Sequence, residues 1–345
     1  MYNGVINSAA RLTYAKVQDW LDKPNQIPSE LNNNISHLYL VYQALLKSRH
    51  IRGAIDFDSV EAMFVFDPAG LVSDIQPRNR LGTHKLIEEC MLAANVCVAD
   101  FLINNGHPGL FRVHDKPSEE KFRDLKSYLN SLAVRFEVSY DNLVPQHLAQ
   151  LLTEVHANPK FPAIQQAVLR SMQLAIYSPQ NIGHFGLSYD RYLHFTSPIR
   201  RYPDLLVHRA AKKIISQSQY IYPHALSIMG EHTSYTERRA EDLGRKVDAF
   251  YKCQYAKTHL GSEFTGIVTS IVNFGIFVYL PEILLDGLVH ITELGQDYFI
   301  FDEQKQILVG KRSGLKYYSG QEVRIQIFNV DMARLFVDLK LVNMC

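Results

Sequence analysis

The chain has 345 residues, 47% of them hydrophobic and 21% charged, with a formal net charge of +1. This length gives room for about two domains, and the composition excludes a disordered or low-complexity chain. No apolar run approaches the ~20 residues that span a bilayer. The four cysteines include no CxxC pair, which argues against a zinc site. We therefore expect a reduced, cytoplasmic protein without a membrane span.

Alternating apolar and polar residues between Gly4 and Tyr14 predict a strand, and residues 35–51 predict a helix. Two strands are expected within 53–76, joined by a turn at 67–70. Apolar residues at helical spacing predict a core helix over 84–105. Further helices are predicted over 118–133, 145–156, 162–176 and 204–218.

The predicted structure changes at Gly261. Before it, Ser234-x-x-Glu237 is a capping-box pattern, which predicts the start of a long helix through His259. After it, period-two alternation predicts five short strands, in segments that begin at 264, 275, 287, 322 and 335. Five strands in ~80 residues are typical of an OB-fold barrel. We expect an α/β (α+β) domain over residues 1–260, followed by a small all-β OB-fold barrel over 261–342.

Residues 194–209, HFTSPIRRYPDLLVHR, contain the strongest functional pattern. Two prolines restrict the backbone on either side of Arg200 and Arg201. Asp204 is expected to cap the helix that follows. Two guanidinium groups on a stiff loop suit phosphodiester oxygens, which accept paired hydrogen bonds. A solvated basic loop with structural arginine–carboxylate pairs would have the same charge, so charge alone leaves both interpretations open.

This motif and four others resemble, in the same order, motifs of the ribonuclease R / ribonuclease II family of processive 3'→5' exoribonucleases. The other four are GVINSAARLTY (4–14), LIEECMLAANV (86–96), FRVHDKPSEEK (111–121) and LRSMQLAIYSPQNIGHFGLSY (169–189). The RRYPDL form is similar to the ribonuclease R branch. The resemblance implies an RNB-type catalytic domain that acts on single-stranded RNA with magnesium and releases nucleoside 5'-monophosphates.

The resemblance also implies roles for individual residues. Arg200 matches the arginine that holds the scissile phosphate, and Arg201 would support it or contact a neighbouring phosphate. Three further residues match positions near the 3'-terminal nucleotides of the RNA: Tyr14, Phe57 and Glu89. Phe57 would stack on bases. Two of the three have a structural alternative, with Tyr14 as a packing residue of a strand and Glu89 as a solvated helix residue paired with Lys85.

The segment NFGIFVYL…DGLVHITEL resembles the S1-type OB-fold RNA-binding domain, and by position it implies base stacking on Phe274, Phe277 and His290. Stacking accepts every base, which suits a nuclease that degrades any RNA. The alternative is that Phe277 only follows the alternation between the inside and outside of the barrel, with Phe274 a loop aromatic. From Ser262 onward the sequence contains seven basic and ten acidic residues, so RNA binding by the barrel would depend on base stacking more than on charge.

The family binds magnesium through a cluster of aspartates upstream of the position that matches Gly4, and this sequence contains no such stretch. Asp56-Phe57-Asp58 would place two carboxylates on one face of a strand, fewer than a magnesium site requires. We therefore predict no metal site in this chain. We expect the RNA-binding part of an exoribonuclease, inactive alone and completed by an upstream aspartate-bearing polypeptide. A non-catalytic single-stranded RNA-binding module and a truncated gene product without a stable fold remain open alternatives.

Overall fold

The structure, a computed structural model, describes residues 1–57, 61–78, 80–158, 160–218, 226–303 and 305–342. In these ranges a domain of helices and short strands is followed by an all-β domain, which confirms the predicted fold class. Asp58 lies outside the described residues. Within the described ranges, no helix has both the length and the apolar character needed to cross a bilayer.

The N-terminal segment differs from its prediction. Residues 1–13 form neither a helix nor a strand and are exposed throughout. The strand predicted over 4–14 is therefore wrong, because a strand must pair its backbone groups and no described strand lies beside this segment. Regular structure begins where Thr13 caps a helix that was not predicted, α1 (Tyr14–Asp22), by accepting a hydrogen bond from the Lys16 amide.

Two long helices flank a hairpin. Helix α2 (Ser29–Arg52) contains the predicted helix and ends at Gly53, whose φ of +72° is the left-handed geometry that glycine adopts at little steric cost. Strands β1 (Ala62–Phe66) and β2 (Val72–Pro77) form an antiparallel hairpin around the predicted turn. Helix α3 (Gly82–Asn104) is the predicted core helix.

Helices and one two-stranded sheet complete this domain. They are β3 (Phe111–Val113), α4 (Glu119–Ser131), α5 (Pro145–Glu154), α6 (Phe161–Ser171), β4 (Ile176–Ser178), α7 (Tyr202–Ile215) and α8 (Leu226–Lys257). The helix predicted over 162–176 ends early, because β4 pairs with β3. The capping box predicted at Ser234 is wrong, because that residue lies inside α8. Its hydroxyl donates to the Gly230 carbonyl and accepts from the Tyr177 amide.

The second domain is a closed barrel of five strands, as predicted. The whole domain, including strands outside the barrel, contains in chain order β5 (Glu263–Val272), β6 (Gly275–Leu280), β7 (Leu285–His290), β8 (Phe299–Asp302), β9 (Ile307–Gly310), β10 (Lys316–Tyr318), β11 (Glu322–Asp331) and β12 (Phe336–Leu341). The barrel closes in the order β11-β12-β7-β6-β5. Strands β8, β9 and β10 form a separate antiparallel sheet that the sequence analysis did not predict.

Three buried hydrophobic clusters stabilise the fold. One lies among α4, α5 and α6, a second joins α3 to β3 and α7, and the third fills the barrel. The barrel cluster also contains side chains from the first domain: Val72 and Ile75 of the hairpin, and Cys253, Tyr255 and Ala256 near the end of α8. The hairpin and α8 therefore pack the two domains together.

Candidate nucleic-acid interface

Asp204 fixes the loop that carries the two arginines. Helix α7 begins at Tyr202 with Arg201 as its N-cap, so Asp204 lies in the first turn and is not the cap that the sequence predicted. Its side chain is 0% exposed. The Asp204 Oδ2 atom accepts hydrogen bonds from the Ser197 amide and from Arg201 Nη2, both at 2.8 Å. The loop from Ser197 to Arg201 is thereby tied back onto the helix that follows it.

The two arginines of this loop differ in their surroundings. Arg201 is largely buried and ion-paired with Asp204. Arg200 is exposed, and its side chain makes no hydrogen bond or ion pair with any residue that the structure describes. A guanidinium group carries five N–H donors in a planar fork. Arg200 therefore presents an unoccupied fork to solvent on an anchored loop.

Three guanidinium groups act on one partly buried imidazole beside this loop. Burial lowers the pKa of His194 to about 2, and nearby positive charges act in the same direction. Those charges belong to Arg201, Arg112 and Arg200. Burial raises the pKa of Tyr177 to about 12, and its hydroxyl shares a 2.8 Å hydrogen bond with His194 Nδ1. Both groups are therefore uncharged at pH 7, and the positive charge of the site comes from the arginines.

Asn95, which was not predicted from the sequence, anchors the start of the loop. This side chain on α3 is buried. Its Nδ2 donates to the Tyr192 hydroxyl at 3.0 Å, and its Oδ1 accepts from the Phe195 amide at 2.9 Å. The sequence did contain a signal for this role, since Asn95 carries a side-chain amide within a predicted core helix. A polar side chain that is buried there has to be hydrogen-bonded.

Replacing Asp204 by alanine should destabilise the fold by about 3–5 kcal/mol, because it leaves the largely buried Arg201 without its partner. The Ser197 amide also loses its acceptor. Thermal unfolding followed by circular dichroism measures the change. The control is Asp242→Ala, which removes an exposed pair of the same spacing with Arg245 and should shift the midpoint far less. Equal shifts would contradict the role of Asp204 as the loop anchor.

Neither Tyr14 nor Phe57 lies on a strand as predicted: Tyr14 begins a helix, and Phe57 lies on a loop. Tyr14 is the first residue of α1 and is 47% exposed, with its ring stacked on His84 at 4.1 Å between centroids. Phe57 is partly buried against the hydrophobic cluster of α4, α5 and α6. The described residues 54–57 are not part of a strand. The roles of both rings at the RNA terminus stay predictions.

Glu89 is a buried member of an ion-pair network that reaches the surface. It is 4% exposed, and its Oε1 accepts a hydrogen bond from Arg49 Nη1 at 2.8 Å. The solvated alternative with Lys85 as partner is therefore wrong. Arg49 also donates from Nη2 to Asp56 at 2.7 Å and lies 3.6 Å from Glu88. The partner of Glu89 comes from α2, 40 positions away in the sequence.

The carboxylates of this network are the candidate ligands for a magnesium ion. Its three carboxylates, from Asp56, Glu88 and Glu89, converge on the guanidinium of Arg49, which occupies the point between them. Magnesium instead requires free oxygen ligands in a near-octahedral arrangement. Among the residues that the structure describes, no group of three or more His, Cys, Asp or Glu side chains is placed to hold a metal. The described residues therefore do not fit a magnesium site.

The barrel brings the three predicted stacking residues together. On β6, Ile276 is fully buried inside the barrel, whereas Phe277 faces outward and is partly exposed. The Phe274 ring meets Phe277 edge-on at 6.3 Å between centroids. Gly275 is the Cα partner of His290, and a side chain on this glycine would clash with the β7 backbone. An aromatic pair and a histidine therefore share one outer face, which is what base stacking requires.

Comparison with known domain families gives two matches along the chain. Residues 1–217 match the RNB domain, and residues 257–341 match the S1 RNA binding domain. Ribonuclease R of Vibrio cholerae serotype O1 is 38% identical over 358 aligned positions, which cover 99% of this chain and 44% of that protein. Ribonuclease R of Escherichia coli K12 is also 38% identical, with coverage of 99% and 44%.

A solved structure agrees with these matches. Apo RNase R of Mycoplasma genitalium superposes with a TM-score of 0.90 at 26% sequence identity, covering 95% of this chain and 53% of that one. The same enzyme has been solved in complex with ribose methylated single-stranded RNA, with the same coverage. The chain thus spans about half the length of the relatives that it matches.

Proposed function

We propose a function for this chain from the premise that it belongs to the RNB exoribonuclease family and carries an S1 RNA-binding domain. On this proposal the chain is the part of a processive 3'→5' exoribonuclease that binds single-stranded RNA. The complete enzyme depends on magnesium and releases nucleoside 5'-monophosphates. The chain is inactive alone, and an upstream polypeptide supplies the aspartates that bind the metal.

The exposed fork of Arg200 is the observation that carries this proposal. Arg201 and Arg112, the two other arginines around His194, are paired with Asp204 and Glu237. Arg200 has no such partner among the described residues. A planar guanidinium binds two phosphate oxygens at once, and such charge-assisted bonds are the strong ones. Arg200 therefore has the geometry to hold a phosphodiester while its neighbours hold the loop.

The other residues of the chain bind and orient the RNA in this proposal. Arg200 holds the scissile phosphate and offsets the charge that develops on it. Arg201 positions Arg200 through its bond to the buried aspartate of α7. Tyr14 and Phe57 lie against the terminal nucleotides, and the barrel face stacks bases further along the strand. We do not extend the proposal to Glu89, because Arg49 already engages its carboxylate.

A second candidate is a single-stranded RNA-binding module without catalysis. The closed barrel favours it, because the barrel presents the stacking residues on its outer face without help from a metal. The two candidates differ in one respect only. The first predicts activity when the missing carboxylates are supplied, and the second predicts none.

The proposal includes a cytoplasmic location. Cys90, Cys97 and Cys253 are unpaired, as is usual for proteins of a reducing compartment. Single-stranded RNA substrates would be available to the enzyme there.

Replacing Phe277 by alanine should weaken binding of a single-stranded oligoribonucleotide by about 1–3 kcal/mol, because one base loses its stacking partner. Fluorescence anisotropy measures the dissociation constant, and circular dichroism checks the fold. Tyr298→Ala removes an exposed ring next to β8 and serves as the control, with affinity unchanged. An unchanged Kd in folded Phe277→Ala would remove this ring from the RNA face. Failure of the unaltered chain to bind RNA would contradict the proposed function.

A further inference from the structure

A cleft of about 520 Å3 lies between α4 and α6 of the first domain and β5 of the barrel. This volume lies within the usual range of ligand pockets, about 300–1,000 Å3. Leu125 and Ile271, which are themselves buried, form an apolar part of its lining. The rest of the lining is mostly polar and comes from both domains. The cleft is separate from the arginine loop, which contributes no residue to its lining.

Two cations line this cleft without an ion-pair partner among the described residues. Lys121 on α4 and Arg170 at the end of α6 both line it, and neither side chain forms an ion pair with a residue that the structure describes. The other cations of α4 are engaged, since Arg123 pairs with Glu119 and Lys126 donates to a backbone carbonyl. The unpaired cations of these two helices therefore meet at the cleft.

The remaining polar groups add donors and acceptors. Tyr128 and Ser319 both line the cleft, and burial raises the pKa of the Tyr128 hydroxyl, which keeps it protonated at neutral pH. Asp124 and Glu303 also line the cleft. A lining with both cations and carboxylates is poorly suited to a bare anion. It suits a ligand that has negative phosphates and also neutral hydroxyl donors, and RNA has both along its backbone.

The cleft adjoins the stacking face of the barrel. Its lining includes Thr269 and Ser270 of β5. Ser270 is the Cα partner of Phe277 on β6, and the Thr269 hydroxyl donates to the Phe277 carbonyl at 3.2 Å. Neighbouring strands lie about 4.8 Å apart, less than the length of one nucleotide. A strand of RNA with a base on Phe277 would therefore have its next nucleotides at the mouth of the cleft.

We propose that this cleft binds the sugar-phosphate backbone of single-stranded RNA next to the base that stacks on Phe277. Lys121 and Arg170 contact phosphates, and the carboxylates and hydroxyls of the cleft contact ribose hydroxyls. The proposal rests on the proposed function, because it needs RNA on the barrel face. It extends the RNA contact from the barrel to helices α4 and α6.

The test is the salt dependence of RNA binding. Each phosphate contact on a single strand contributes about 0.7 to the slope of log K against log salt concentration. The double variant Lys121→Gln/Arg170→Gln should therefore make the slope shallower, reducing its magnitude by about 1.4. Arg123→Gln, on α4 but outside the cleft lining, should leave the slope unchanged. Phe277→Ala should weaken binding and leave the slope unchanged, because stacking releases no counterions.

The outcomes separate this proposal from the proposed function. An unchanged slope in the double variant, while Phe277→Ala still weakens RNA binding, would overturn the cleft proposal and leave the proposed function intact. Adenosine 5'-monophosphate, titrated by calorimetry, tests a free nucleotide as the occupant. Binding of this nucleotide that the double variant loses, with its RNA slope unchanged, would assign the cleft to a mononucleotide and would also overturn the proposal.

Discussion

Replacing Arg200 by lysine should abolish most of the turnover of the complete enzyme while most of its affinity for RNA remains. Lysine keeps the positive charge but loses the planar fork that holds two phosphate oxygens. An interaction that is stronger in the transition state than in the ground state appears in kcat and not in binding. Loss of one such donor costs about 10²–10³ in rate. Single-turnover kinetics of the chain mixed with a polypeptide that carries the aspartate cluster measures this loss.

The control for Arg200→Lys is Arg209→Lys. Arg209 is another exposed arginine of the same basic stretch, on α7, and the proposal gives it no contact with the reacting phosphate. Its replacement should leave kcat unchanged. Full activity of Arg200→Lys, or a loss confined to KM, would reduce Arg200 to a general basic contact.

The barrel shows which parts of the fold the sequence can predict. All five strands could be located because each alternates apolar and polar residues, and this alternation follows directly from having one buried face. The sheet of β8, β9 and β10 was missed, because its strands are only three or four residues long. Four residues give too few alternations to separate a strand from a loop.

The errors in the first domain have a different cause. Residues 4–14 have strand-like alternation, but alternation cannot say whether a neighbouring strand exists to pair with them. Ser234 has the spacing of a capping box, but helix α8 starts eight residues earlier, and the serine instead binds the backbone of β4. Both patterns are local, and both outcomes depend on tertiary contacts.

The sequence predicted where the two arginines of the candidate site lie along the fold, but not their surroundings. The sequence predicted that Arg200 and Arg201 lie on a loop that leads into a helix, and in the structure they precede α7 in this way. It did not predict that Arg201 would be engaged by a buried carboxylate and Arg200 left exposed, because that distinction depends on how the loop folds back onto α7. The pairing of Glu89 with Arg49 was not predictable either, because the two residues meet only when α2 and α3 pack together.

The chain alone should not hydrolyse RNA at a rate typical of an enzyme. Enzymatic acceleration usually requires at least ~8 kcal/mol of barrier reduction. One electrostatic donor such as Arg200 supplies about 2.7–4 kcal/mol, and the described residues do not fit a magnesium site that would activate water. Addition of a polypeptide with the aspartate cluster should therefore restore magnesium-dependent release of mononucleotides from the 3' end. The same mixture with Arg200→Lys in this chain should show little release.

The most direct measurement uses a 5'-end-labelled single-stranded oligoribonucleotide, incubated with the purified chain and resolved on a denaturing gel. Four mixtures are compared, with and without magnesium and with and without the aspartate-bearing polypeptide. We expect stepwise shortening only when both are present, with an intact oligonucleotide in the other three mixtures. Magnesium-dependent shortening by the chain alone, abolished by Asp56→Asn, would contradict the account and would identify this chain as a complete nuclease.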